Sequence, residues 1–360
     1  MSNSTKISHS KVNMGRFFED FSLNEVIHHA TPRTITAGDC ALYIALTGSR
    51  NPLHCSEPFA QSLGYKTTPI DDLLAFHIAF GKTVPDISVN AVANLGYADV
   101  RFLQPVFVGD TLSTSSTVIG LKQNSSGKNG VVWVRSTSLN QRKEPVLSWV
   151  RWVMIHNREL HKNNLDAPAP ATVIPELPAF VAPADLTVTN YSSAKHFNAA
   201  ATGGQYFWHD YQVGESINHA AGMTINPADH TLATRLYQNN ARLHFDNVLM
   251  AGKRLVYGGV VISLCRALSF EGLENALSIL AINAGTHVNP SFASDTIYTY
   301  TEVLDAWPIP NRTDIGALRL RMVGIKNKPS SEITALKIDG VYDKNVVLDL
   351  DYTVSMPTKF

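Results

Sequence analysis

At 360 residues and 44% hydrophobic content, the chain is long for one compact unit and apolar enough for two domains with cores of their own. Thirty basic and thirty acidic side chains cancel without forming a basic tract, which argues against nucleic acid or an anionic membrane as the main partner. Three scattered cysteines (Cys40, Cys55, Cys265) do not make a disulfide framework and fit a reducing compartment, and no Cys-x-x-Cys or His-x-x-x-His spacing points to a structural metal.

Residues 1–11 are polar, rich in Ser and Asn, and lack the apolar centre of a signal peptide; no later stretch reaches the ~18 apolar residues of a membrane span. A cytoplasmic protein is the expectation. The run 70–84, with Leu73, Leu74, Ala75 and Phe76 in it, predicts a buried helix. β-Branched and aromatic residues between turn signals predict strands over 98–107, 111–120, 131–139 and 146–155. A Pro- and Ala-rich run then extends from Asp166 to Pro183. Proline neither continues a helix nor donates to a sheet ladder, so this run reads as an interdomain linker, placed at 161–202. Beyond it the same order returns, with a helix over 258–270 and strands over 285–288, 296–304, 317–325 and 346–356. One long helix with a run of antiparallel strands, in each of two halves at 1–160 and 203–360, indicates an α+β fold with the helix on one sheet face.

The halves read as a diverged duplication. At one common offset Asp20-Phe21 matches Asp210-Tyr211, Thr34-Ile35-Thr36 matches Thr224-Ile225-Asn226, Asp39 matches Asp229, and His54 matches His244. After a drift of a few residues, Gln104-Pro105 with Asp110-Thr111 matches Asn289-Pro290 with Asp295-Thr296, and Gly130 to Arg135 matches Gly316 to Arg321. Loop insertions produce such drift. Chance supplies one or two pairs, not an ordered series.

The most telling stretch is Thr47-Gly48-Ser49-Arg50-Asn51-Pro52-Leu53-His54, with a weaker echo at Tyr237-Gln238-Asn239-Asn240-Ala241-Arg242-Leu243-His244. The first resembles the Thr-Gly-Asp-x-Asn-Pro-Leu-His signature of MaoC-like, (R)-specific enoyl-CoA hydratases, with Ser49 in place of the catalytic aspartate. The echo keeps the histidine and carries Asn239 at the aspartate position. Residues 71–88, 94–98 and 147–154 in the first half, and 234–239, 257–259, 266–270, 281–285 and 316–321 in the second, extend the resemblance. Taken whole, the chain resembles tandem hot-dog hydratases of this type, closest to the mesaconyl-CoA hydratases (β-methylmalyl-CoA dehydratases). The resemblance implies a double hot-dog fold, each half a central helix wrapped by an antiparallel sheet. It implies a hydro-lyase that reversibly hydrates a branched dicarboxylic enoyl-CoA, mesaconyl-CoA to β-methylmalyl-CoA. It implies no metal or redox cofactor, coenzyme A being part of the substrate. Hot-dog sheets pair through their edges, so a pseudo-dimer within the chain is expected, with room for a homo-oligomer.

Hydrating an α,β-unsaturated thioester needs a base to activate water at the β-carbon, a proton returned at Cα, and fixed donors for the charge that develops on the thioester oxygen. His244 is the first candidate acid/base, with Asn239 beside it to orient water through its amide oxygen; an amide is no base at neutral pH. Taken alone, His244 reads first as a buried, hydrogen-bonded structural histidine. Gly258-Gly259 is the oxyanion candidate, because it opens the second central helix, where amides are unpaired; Tyr257 precedes it as a substrate-binding candidate. A tight turn into a packed helix would use the same glycines. Asp71-Asp72 holds the matching place in the first half, where capping alone accounts for two carboxylates; docked side by side, the halves would let one of them replace the lost aspartate. His54 and Ser49 form a reserve site on a loop that Asn51-Pro52 marks as a turn. Arg242 and Arg50 are nominated for the substrate's free carboxylate, and Arg321 or Lys326 for coenzyme A phosphates. His28, His29 and His219 read as packing or surface residues. Two other functions stay open: a thioesterase of the same fold, which would direct water at the carbonyl and release free coenzyme A, and a non-catalytic acyl-CoA-binding protein, which the loss of both aspartates favours.

Overall fold

The structure, a computed structural model, describes residues 11–158, 171–188 and 194–359. Its first half runs β1 (Val26–His28), β2 (Arg33–Thr34), α1 (Ala37–Thr47), α2 (Pro52–Cys55), α3 (Glu57–Ser62), α4 (Asp72–Ile87), β3 (Ala91–Phe102), β4 (Thr111–Gln123), β5 (Asn129–Leu139) and β6 (Pro145–His156). The second half runs α5 (Ala199–Thr202), β7 (Ser216–Thr224), α6 (Pro227–Leu236), α7 (Gly258–Leu268), β8 (Ile279–His287), β9 (Thr296–Pro308), β10 (Ile315–Lys326), β11 (Lys337–Ile338), β12 (Val341–Tyr342) and β13 (Val346–Pro357). One antiparallel sheet in the order β1-β4-β5-β6-β3-β8-β13-β10-β9-β7 carries both halves. They meet edge to edge at β3 and β8, with Tyr97 opposite Gly285 and Ala98 opposite Ala284. The sheet wraps α4 and α7, which is the double hot-dog arrangement.

The duplication recurs in detail. Phe17 N–H donates to Asp20 Oδ2 at 2.9 Å, and Phe207 N–H to Asp210 Oδ2 at 2.8 Å. The turns so capped lay Phe18 over Gly130 and Trp208 over Gly316, so close that a Cβ on either glycine would sit 2.4 Å from the ring. His29 Nε2 meets Ser116 Oγ at 2.8 Å, and His219 Nε2 meets Thr301 Oγ1 at 2.9 Å. Both histidines are buried and hydrogen-bonded, a structural duty.

Several boundaries differ from expectation. Helix α4 runs through Pro85 to Ile87, because a proline so near the end forfeits only its own N–H, and Ser88 N–H closes the last turn on Val84 O at 3.0 Å. Strands β3 and β8 start earlier, at Ala91 and Ile279, and Gly96 lets the Trp152 ring of β6 pack directly against the β3 backbone. Residues 161–170 of the expected linker lie outside the described residues. Its described part is pinned to the body: Val173 pairs with Leu121, Phe180 stacks on Trp307 at 5.5 Å, and Val181 N–H donates to Asn283 Oδ1 at 3.0 Å. Among the described residues no helix is long and apolar enough to cross a membrane.

The main apolar core crosses the halves, with Phe76, Phe80, Tyr97 and Trp149 joined to Tyr237, Tyr257, Val261 and Ile262. The closest approach is at Gly81 of α4, where a Cβ would stand 1.9 Å from the carbonyl oxygen of Tyr237 and 3.2 Å from Asn239 N. That oxygen is backbone and cannot swing away. Gly81→Ala is therefore expected to lower stability by about 1–3 kcal/mol, the usual cost of overpacking. An unchanged urea midpoint would refute this account of the contact.

Candidate active site

Each half places its signature histidine on a short turn between α1 and α4, or between α6 and α7. In the first half α1 ends at Gly48 in the left-handed region, with φ 71°. The second half repeats that turn with Gln238 at φ 52°, a conformation that costs a side-chain-bearing residue more than glycine. Lys82 of α4 donates to the Gln238 side chain and helps hold the turn.

The turn puts His244 at the wall of a cavity of about 290 Å³ between the halves. From the first half Phe80, Val84, Ser88, Asn94, Tyr97 and Arg151 line it. The second half adds Asn239, His244, Tyr257, Gly258, Val261 and His287. His244 Nδ1 lies 2.9 Å from Leu255 O. A carbonyl only accepts, so Nδ1 carries the proton and Nε2 keeps its lone pair. Burial pulls the imidazole down to about 4, which leaves it neutral at pH 7. A neutral imidazole of fixed tautomer beside a cavity is a base in waiting.

Asn239 lines the same cavity, almost wholly buried, and Ala241 N–H donates to its Oδ1 at 3.0 Å. The NH2 group adds a donor to the second lone pair that the oxygen keeps. Gly258 and Gly259 open α7, so their N–H groups precede any carbonyl of the helix able to accept them. Each is glycine for a visible reason. A Cβ on Gly258 would stand 2.3 Å from His287 Nε2, and one on Gly259 would stand 2.7 Å from His77 Nδ1 of α4. Tyr257 is buried beside His244, ring centroids 5.5 Å apart, and its hydroxyl has no hydrogen-bond partner among the described residues. His287 was not singled out from the sequence. Its Nε2 is 3.0 Å from the Tyr97 hydroxyl, burial pulls it down to about 4, and its only sequence signal is a histidine closing a core strand.

The better-preserved motif builds a different place. His54 Nδ1 meets Pro69 O at 3.3 Å, as His244 meets Leu255, but its Nε2 faces Asp72 Oδ2 at 3.7 Å. Asp72 also accepts from Ile279 N–H at 2.8 Å, and burial pushes its carboxyl up to about 6. Asp71 caps α4 through Leu73 N–H at 2.9 Å and accepts from Ser49 Oγ at 3.2 Å. The space left is about 20 Å³, room for one water and no acyl chain. Asp71 and Asp72 therefore do not reach the His244 cavity, contrary to the expectation that one of them supplies its missing carboxylate: they begin α4, whose N-terminus faces residues 271–279, whereas His244 belongs to the N-terminus of α7.

The nominated arginines also stand elsewhere. Arg50 pairs with Glu271 at 2.6 Å over the Phe270 ring, on the surface by the small pocket. Arg242 is exposed and donates to Asn90 Oδ1 at 3.2 Å. Arg321 is held by Asp349 at 2.7 Å, and Lys326 donates to Pro290 O at 2.5 Å; neither lines the large cavity. The cation that does line the large cavity is Arg151, fully buried on β6.

A family model described as mesaconyl-CoA hydratase matches residues 6–332. A β-methylmalyl-CoA dehydratase from Chloroflexus aurantiacus is 57% identical over 97% of this chain and 99% of its own length. A mesaconyl-CoA hydratase from Cereibacter sphaeroides is 51% identical over 96% and 99%. Among solved structures, a MaoC-domain dehydratase protein from Chloroflexus aurantiacus aligns at a TM-score of 0.94 with 57% identity, covering 98% of this chain and 100% of that one. A Mycobacterium tuberculosis protein described as a double hot-dog aligns at 0.76 with 24% identity, over 97% and 100%, which supports the fold alone.

Proposed function

The chain belongs to the mesaconyl-CoA hydratase family, and from that membership we propose that its working site is the cavity of the second half, with His244 as the base. The enzyme is a hydro-lyase that adds water reversibly to mesaconyl-CoA to give β-methylmalyl-CoA. His244 Nε2 takes one proton from a water whose oxygen bonds to the β-carbon, while the Asn239 amide donates to that oxygen and positions it. The electron pair of the double bond moves toward the carbonyl, and the charge arriving on the thioester oxygen is met by the N–H groups and dipole of the first turn of α7 at Gly258 and Gly259. The imidazolium then returns its proton to Cα, so one residue serves as base and acid and the sum is one water added.

The observation that carries this reading is the contrast between the two histidines. Both anchor Nδ1 on a backbone carbonyl, but only His244 opens onto a volume able to hold an acyl group. The test is to incubate the protein with mesaconyl-CoA and follow the loss of conjugated-thioester absorbance, with the products separated. An intact hydroxyacyl-CoA is expected; free coenzyme A would mean a thioesterase, and binding without turnover an inert acyl-CoA carrier. His54→Ala and Asp72→Asn are expected to keep turnover within about threefold, because substitutions remote from the reacting groups leave ΔG‡ nearly unchanged. Losses comparable with those of a His244 variant would move the site to the first half.

A further inference from the structure

We propose that Arg151 binds the free carboxylate of the acyl group, so that the cavity selects enoyl thioesters carrying a second, anionic carboxyl. The inference rests on the reading of the His244 cavity as the acyl site.

Arg151 sits midway along β6 and is wholly buried. Its Nη2 donates to Thr83 Oγ1 at 2.8 Å and its Nη1 to Ser88 Oγ at 3.4 Å, both neutral hydroxyls at the end of α4. Its Nε has no hydrogen-bond partner among the described residues. The guanidinium lies 4.3 Å above the Phe80 ring, a contact that softens but does not neutralise the charge. No carboxylate among the described residues pairs with it. Asp86, on the same helix as Thr83, is engaged by His29 at 2.8 Å, and Asp99 is held by Arg101 at 2.7 Å and Arg135 at 2.9 Å. Tyr97 and Tyr257 face it as neutral phenols, since burial pushes both hydroxyls up. Burial lowers the guanidinium to about 10, which still leaves it a cation at neutral pH.

A buried charge without a counter-ion is one of the costlier arrangements in a protein interior. Here it borders the His244 cavity, which Asn94 also lines with an amide whose oxygen and nitrogen have no hydrogen-bond partner among the described residues. A planar guanidinium at the wall of that space matches a carboxylate better than it matches a hydroxyl or water. A thioester with a methyl group at that end would leave the charge unpaired and be rejected; a dicarboxylic thioester would complete the pair. Arg242 and Arg50 cannot act this way, because neither lines the cavity.

The test changes the substrate first and the protein second. Wild-type enzyme is compared on mesaconyl-CoA and on 2-methylcrotonyl-CoA, which carries a methyl in place of the carboxylate. A preference in kcat/KM of at least about 10³-fold is expected, the scale on which a site built for a polar group rejects the analogue lacking it. Arg151→Gln is expected to lose at least about 10²-fold on mesaconyl-CoA and less than about tenfold on the methyl analogue, with Arg151→Lys in between. Equal losses on both substrates, or a wild-type preference below tenfold, would overturn the inference. Binding of the saturated pair, 2-methylsuccinyl-CoA and 2-methylbutyryl-CoA, keeps the two readings apart. Tighter binding of the dicarboxylic member by wild type alone supports the Arg151 subsite even where turnover fails, whereas equal affinities refute it even where hydration is confirmed.

Discussion

His244→Gln is expected to lower kcat on mesaconyl-CoA by about 10³-fold, in the middle of the range for losing a general acid/base, with KM changed by less than about fivefold. Glutamine can still donate to Leu255 O, so the turn that carries it should persist, but it has no lone pair basic enough to take a proton from water. The pH profile sharpens the test. Burial pulls His244 down to about 4, and a group whose pKa is lowered is already a free base above that value. The wild-type kcat/KM should therefore run flat from about pH 6 to pH 8 and fall only on the acid side, toward 4. An inflection near the ordinary histidine value of about 6.5 would mean that a different, better-solvated group is the base. A glutamine variant with more than a tenth of wild-type turnover would point the same way.

What the sequence made legible followed from local rules. The two central helices and most core strands carry their own periodicity, and the duplication could be traced through Asp20 and Asp210 because each closes the same backbone cap. The motif that identified the family is best preserved where it catalyses nothing in this reading. Asn51 holds its loop by donating to Ala276 O at 3.2 Å and Leu277 O at 2.9 Å across the two halves, a structural duty that favours the same residues as the chemical one. The second copy is the harder to read because Gln238 replaces the glycine of the left-handed turn and is held by Lys82, far away in sequence. No local pattern announces that. Nor does sequence spacing tell which helix N-terminus a carboxylate will face: Asp71 and Asp72 line the small pocket beside His54 and not the His244 cavity. Arg151 did leave a signal. The alternation of β6 puts it on the buried side with Trp149 and Val153, and a cation in phase with core residues on a strand is a polar group in need of a partner. Proximity in sequence to the histidine, the criterion that favoured Arg242, carries no such physical demand.

Gly258→Asp should abolish hydration, with a loss of at least about 10³-fold, while the fold is retained. Gly258 and Asp72 are the first residues of their central helices, so the substitution writes the first-half arrangement into the second. In the first half the carboxylate lies 3.7 Å from the histidine Nε2, takes the Ile279 N–H, and leaves space for one water. Three lesions follow at position 258. The carboxylate would occupy acyl space, it would oppose the negative charge arriving on the thioester oxygen, and it would pair with His244. Pairing with an anion favours the protonated imidazole, so the His244 pKa must rise from about 4, and the residue ceases to be a free base at neutral pH. Gly258→Ala isolates the steric part, since its Cβ already meets His287 at 2.3 Å, and a loss of only about tenfold to a hundredfold is expected from misplacing the acyl group. The two variants should thus differ by about tenfold or more in kcat, and a proton NMR titration should find the His244 resonance moved to higher pKa in the aspartate variant alone. Equal turnover in both variants, or an unmoved histidine, would show that the helix start at Gly258 does not face the reacting carbonyl.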